Sequence, residues 1–156
     1  MNGTKPESTI ELDVTVDVPV AHAFRVFTER FDRIKPREYN LLSSDIAETV
    51  FETRAGGHVY DRGVDGSVCR WARVLVFEPP HRFVISWDIT QDWRPETDPD
   101  KTSEVEVRFI ELGPEKTRVE LEHRGIERHG DRWREYRDEI AAGWPVFLGR
   151  FTELAA

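Results

Sequence analysis

Residues 131–154 read DRWREYRDEIAAGWPVFLGRFTEL. Trp133, Tyr136, Ile140, Trp144, Phe147 and Phe151 follow one another at steps of three or four residues, so a helix carries all six on one stripe. A stripe that aromatic needs a broad apolar surface to cover it. Within it Gly143 is a weak helix former and Pro145 cannot donate to the carbonyl of Ala141, which predicts a kink over residues 141–145 and room beneath a bent helix.

The partner surface lies upstream. Val105, Val107 and Phe109 alternate with polar residues, as do Val119, Leu121 and His123, and Gly113-Pro114 separates the two runs. Earlier, residues 46–51, 58–62, 68–77 and 83–87 form four strand-like runs broken by Gly56-Gly57, Asp65-Gly66 and Pro79-Pro80. Connections this short imply an antiparallel meander. Residues 8–17 alternate with Ile10, Leu12, Val14 and Val16 on one side, and a helix of about three turns follows from Pro19, with Val20, Ala23, Phe24, Phe27 and Phe31 at helical spacing until Pro36 intervenes. Residues 91–102 hold prolines and acids with Trp93 almost alone among them as an apolar group, and read as a solvated loop. The order of strand, helix, six strands and long helix predicts an α+β fold in which a curved antiparallel sheet wraps the last helix. We expect one domain over residues 1–156, with its core at about 8–154.

Thirty acidic residues against 22 basic give a net charge of −8, which repels phosphate backbones and anionic lipid, so no nucleic-acid partner is expected. No apolar run reaches the roughly 18 to 20 residues that span a bilayer, and MNGTKPESTI lacks a basic start with an apolar stretch behind it. The expectation is a cytoplasmic protein without membrane insertion. Cys69 is the sole cysteine, which excludes an internal disulfide and a cysteine-rich zinc cage.

The strings GGHVYDRGVDGSVCRWARVLVFEPPHRFVISW (56–87), TSEVEVRFIELGPEKTRVELEHRGIERHG (102–130) and GWPVFLGRF (143–151) resemble the homologues of the activator of heat-shock-protein-90 ATPase, within the START and birch-pollen-allergen (SRPBCC) superfamily. The resemblance runs from about Ile10 to Phe151. It implies a helix-grip fold with a cavity between sheet and C-terminal helix, and it brings the 90-kDa chaperone in as a candidate partner in a stress response. The eukaryotic co-chaperone resembles this chain only in its C-terminal domain; its N-terminal chaperone-binding domain has no counterpart here. Superfamily members include lipid carriers, cyclases and receptors, so the fold does not fix one reaction.

Five tryptophans and nine phenylalanines supply core and pocket walls together. Trp71, Trp87, Phe109, Trp144 and Phe147 fall on faces expected to point inward. On the strand 68–77 one parity holds Cys69, Trp71, Arg73, Leu75 and Phe77 and the other Val68, Arg70, Ala72, Val74 and Val76, so an arginine points inward unless a bulge switches sides. Choosing the Trp71 face puts Arg73 at the cavity as a cation for a ligand oxygen; the alternative is an ion pair with a neighbouring acid. His123, in phase with Val119 and Leu121, and Tyr60, just past Gly57, are candidate polar tips. The five histidines show no HExxH spacing or histidine–cysteine cluster, and neither GxSxG nor a phosphate loop occurs, so no metal, cofactor or nucleophile is expected. The leading expectation is non-enzymatic binding of a small hydrophobic or amphipathic molecule, as a lipid binder would, with a cyclase- or hydrolase-like enzyme and a co-chaperone as alternatives. Monomer and homodimer both stay open.

Overall fold

The computed structural model describes residues 5–156; residues 1–4 of the expected domain and of the N-terminal stretch searched for a leader lie outside them. Seven strands, β1 (Ile10–Val16), β2 (Ile46–Phe51), β3 (His58–Gly63), β4 (Val68–Glu78), β5 (Arg82–Trp87), β6 (Ser103–Gly113) and β7 (Lys116–Arg124), form one antiparallel sheet. Its order is β1-β7-β6-β5-β4-β3-β2, so every neighbour except the β1–β7 pair is a sequential hairpin. Helix α1 (Val20–Glu29) follows β1, and helix α2 (Trp133–Ala155) closes the chain.

Alternation does what the sequence demands. Val105, Val107 and Phe109 of β6 and Val119, Leu121 and His123 of β7 are all buried, with Phe109 against Phe24 and Phe27 of α1 and His123 against Trp144 of α2. The outer face of the same strands is a charge ladder: Arg108 bridges Glu106, Glu120 and Glu122, and Arg124 bridges Glu104, Glu106 and Glu122. Opposite charges across neighbouring strands suit a wetted sheet face. The last helix continues through Pro145 and presents that residue to solvent, where its missing N–H burdens no buried acceptor.

The interior has two parts. Phenylalanines fill one: Phe24 and Phe27 of α1 meet Phe83 and Phe109 at ring separations of 5.0 to 6.3 Å, and Phe27 meets Phe151 at 5.0 Å. Tryptophans wall the other, with Trp87 lying 5.7 Å from Trp71 and 5.6 Å from Trp144. Phe31, just past α1, joins the two at 6.2 Å from Trp71 and 6.0 Å from Phe147. Because α1 reaches the phenylalanine part only, the tryptophan part is left incompletely filled.

Candidate functional site

Strand β4 decides which side chains reach that space. Two register slips interrupt it: Val59 and Tyr60 of β3 face Ala72 and Arg70, which makes Trp71 an extra residue, and Val74 and Val76 face Ile85 and Val84, which makes Leu75 another. Each extra residue reverses the alternation. Cys69 and Trp71 therefore point in, Ala72 and Val74 point in after the first slip, and Phe77 turns back against Phe24 and Phe51 after the second.

The slip expels Arg73. Its guanidinium grips the Asp88 carboxylate with two bonds, Nε–Oδ2 at 3.0 Å and Nη2–Oδ1 at 3.1 Å, and donates to Thr102 Oγ1. Arg73 thus follows the alternative, an ion pair with a neighbouring acid outside the cavity, and is not the internal cation that the Trp71 face would give. Tyr60 also lies outside: the buried parity of β3 is Val59, Asp61 and Gly63, and the Tyr60 ring packs under the Arg70 guanidinium at 5.8 Å. Phe109 belongs to the phenylalanine part of the core.

His123 points inward as expected but stands behind the cavity wall. Trp144 Nε1–H donates to its Nδ1 at 3.1 Å, which puts the imidazole proton on Nε2, 2.7 Å from Ser103 Oγ. The hydroxyl then gives its own proton to His129 Nε2, also at 2.7 Å, so neutral His129 carries its proton on Nδ1, which has no partner among the described residues. Burial pushes His123 down to about 3 and His129 to about 4. Both rings are neutral near pH 7.

What remains is a cavity of about 510 Å³ between the sheet and α2. Trp71 and Trp87 wall it from the sheet and Trp144, Phe147 and Ile140 from the helix, so four of the eight expected residues line it. Residues 38–41 on one side and Trp93 on the other form its mouth. Trp93 holds a left-handed backbone, φ 59°, pinned by an edge-on contact with Tyr136 at 5.1 Å and an N–H bond to Glu139 at 3.3 Å. Its loop is moored by Gln91, whose amide packs where a Cβ on Gly130 would sit and accepts from Arg132 N, and by the Arg132–Asp92 ion pair.

A buried ion pair that the sequence reading missed lies in the lining. Lys35 Nζ sits 2.7 Å from Asp61 Oδ2 and also donates to the Tyr39 carbonyl; Asp61 Oδ1 accepts from Thr49 Oγ1 at 2.7 Å and from Trp71 Nε1 at 3.4 Å. Burial pulls the Lys35 amine below its ordinary value, with the Asp61 charge opposing. One signal was present: Asp61 shares the parity of Val59, the buried side of β3. Among the described residues no group of acids, histidines and cysteines is placed to hold a metal, and no helix is long and apolar enough to cross a membrane.

Comparison with known proteins agrees with this geometry. An anthrahydroquino-γ-pyrone synthase, Txn09, solved in complex with SUM, is 35% identical, with a TM-score of 0.66 over 94% of this chain and 96% of that one. The self-sacrificing resistance protein CalC from Micromonospora echinospora is 26% identical, with a TM-score of 0.66 over 94% and 93% of the two chains. Protein NE0264 from Nitrosomonas europaea, at 18% identity and a TM-score of 0.66 over 97% of each chain, shares the fold. A search of curated proteins found no match. The neighbours are helix-grip proteins of the SRPBCC type, as this sheet and helix are. The family model described as activator of Hsp90 ATPase homolog 1-like protein matches residues 17–156, nine-tenths of the chain, and the protein belongs to that family.

Proposed function

We propose that the protein binds a small hydrophobic or amphipathic molecule in the cavity between the sheet and α2, with Trp71, Trp87, Trp144 and Phe147 as its apolar walls. The observation that carries this reading is a space of about 510 Å³ whose indole N–H groups are all engaged elsewhere: Trp71 with Asp61, Trp87 with the Tyr136 hydroxyl, Trp144 with His123 and Trp93 with Glu139. The walls therefore offer ring surface, and burying apolar surface there favours binding by about 25 cal/mol per Å² before association costs. Residues 38–41 and the loop carrying Trp93 gate the entrance. A thermal-shift screen of flat aromatic compounds, sterols and fatty acids tests it. A ligand at about a hundred times its Kd adds about 2.7 kcal/mol, or roughly 2–4 °C per kcal/mol in Tm for a domain of this size. The shift should vanish in Phe147→Asp; no shift with any class would contradict the reading.

A second reading, a cyclase-like enzyme, draws on the synthase at 35% identity over nearly the full length. Here Lys35 and Asp61 are the buried charged groups in the cavity, placed to polarise a carbonyl and move a proton. It predicts loss of turnover with binding retained in Asp61→Asn.

A further inference from the structure

The chemistry of the ligand can be narrowed from the polar floor of the same cavity. Of the four charged side chains that line the cavity, Glu38 and Glu139 are exposed at the mouth, and the floor is the pair Lys35 and Asp61. Lys35 is only 5% exposed and Asp61 1%. A lysine ammonium has three N–H groups. Asp61 and the Tyr39 carbonyl take two, and the third has no hydrogen-bond acceptor among the described residues, the ammonium lying 5.7 Å from the Trp71 ring centroid. Stability does not account for such a pair, since replacing a buried ion pair with apolar groups of like volume is often neutral or favourable.

Resting on the reading of the cavity as a ligand site, we infer that Lys35 is its specificity-determining donor, and that the ligand is a flat aromatic carbonyl compound bearing no negative charge. The ring part follows from the walls, where Trp71, Trp87, Trp144 and Phe147 leave aromatic surface and no free donor. The carbonyl follows from Lys35: its remaining N–H asks for an acceptor. An alcohol at that depth would also need an acceptor for its own proton, and the Asp61 carboxylate has one lone pair left for it, on Oδ2, whereas a carbonyl asks for nothing more than the lysine N–H. The absence of negative charge follows from the balance. Asp61 already neutralises Lys35, so a ligand carboxylate buried beside the pair would be an uncompensated anion. Charge-assisted hydrogen bonding to a neutral carbonyl has no such penalty.

Three probes of nearly equal size separate the contributions: fluorene, 9-fluorenone and fluorene-2-carboxylate, with dissociation constants measured by equilibrium dialysis. Wild-type protein should bind 9-fluorenone roughly tenfold or more tighter than fluorene, the gain of one hydrogen bond to a charged donor, and fluorene-2-carboxylate more weakly than fluorene. In the double variant Lys35→Met with Asp61→Leu the fluorenone advantage should disappear while fluorene still binds. Equal binding of fluorene and 9-fluorenone by the wild type, tightest binding of the carboxylate, or an advantage that survives in the double variant overturns the inference and leaves the cavity reading intact. If none of the three binds, the cavity reading falls and this one with it. Should the double variant fail to fold, the wild-type ranking alone decides.

Discussion

Removing one member of the Lys35–Asp61 pair leaves the other as a lone charge in an interior that water barely reaches. Lys35→Met alone should therefore destabilise the protein by about 3–5 kcal/mol, and adding Asp61→Leu should recover most of that loss. Urea unfolding of the two variants checks this; equal midpoints would show that the pair is solvated and does not act as a buried unit. Arg73→Leu should behave differently. Its guanidinium is partly exposed, but the substitution leaves the buried Asp88 carboxylate without its partner, so the cost should be about 1–3 kcal/mol, and ligand binding should not change. At this scale inward-facing aromatic residues were legible, and four of them, Trp71, Trp87, Trp144 and Phe147, line the cavity, while Phe109 packs with the phenylalanines because alternation gives burial but not which part of the interior is filled. The sequence was ambiguous where a polar group has two plausible sides. For Arg73 parity leaves two sides open, depending on a bulge that only strand pairing locates, and the Lys35–Asp61 pair is not legible because a charged residue on a buried parity has no pattern to announce its partner 26 residues away.

Elements were far easier to read than their irregularities. Strand boundaries followed alternation and turn residues almost to the residue, because one face of the sheet must be dry and the other wet. The two slips in β4 were visible only as an ambiguity, an arginine on the tryptophan face, and their positions are set by pairing with β3 and β5. The loop carrying Trp93 was legible as solvated, with its tryptophan as the exception, but not its mooring through Gln91, Gly130 and Arg132. Trp93→Gly tests what that loop does. Glycine suits a positive φ, so stability should stay within about 1 kcal/mol of wild type. Ligand dissociation followed by stopped-flow should quicken several-fold as the mouth widens. An unchanged rate would mean that exchange runs past residues 38–41 instead.

The whole molecule joins a packed phenylalanine part to a hollow tryptophan part, and the chain Trp144–His123–Ser103–His129 runs from the hollow part's wall into the structure behind it. Both histidines are neutral when folded and take up a proton more readily once unfolded, where a histidine titrates near 6.5. Stability from this source is complete above about pH 6.5 and is lost as the pH falls toward about 4 and then 3, at up to about 1.4 kcal/mol per pH unit for each ring. Asp65, held at about 2 by Ser67 and Ser44, loses its contribution only below the usual carboxylate range, a window further into acid. Urea midpoints between pH 7 and pH 4.5 should fall, and His129→Gln should reduce the slope by roughly half; a flat profile would show that the rings are protonated in the fold.

Binding in the tryptophan part is tested most directly by the five indole N–H resonances in a 1H–15N spectrum, titrated with 9-fluorenone. Trp71, Trp87, Trp93 and Trp144 line the cavity and Trp133 does not. The four lining resonances should shift together along one saturating curve while that of Trp133 stays in place. Shifts at Trp133 with the other four unmoved, or no shift anywhere at saturating probe, would contradict binding there.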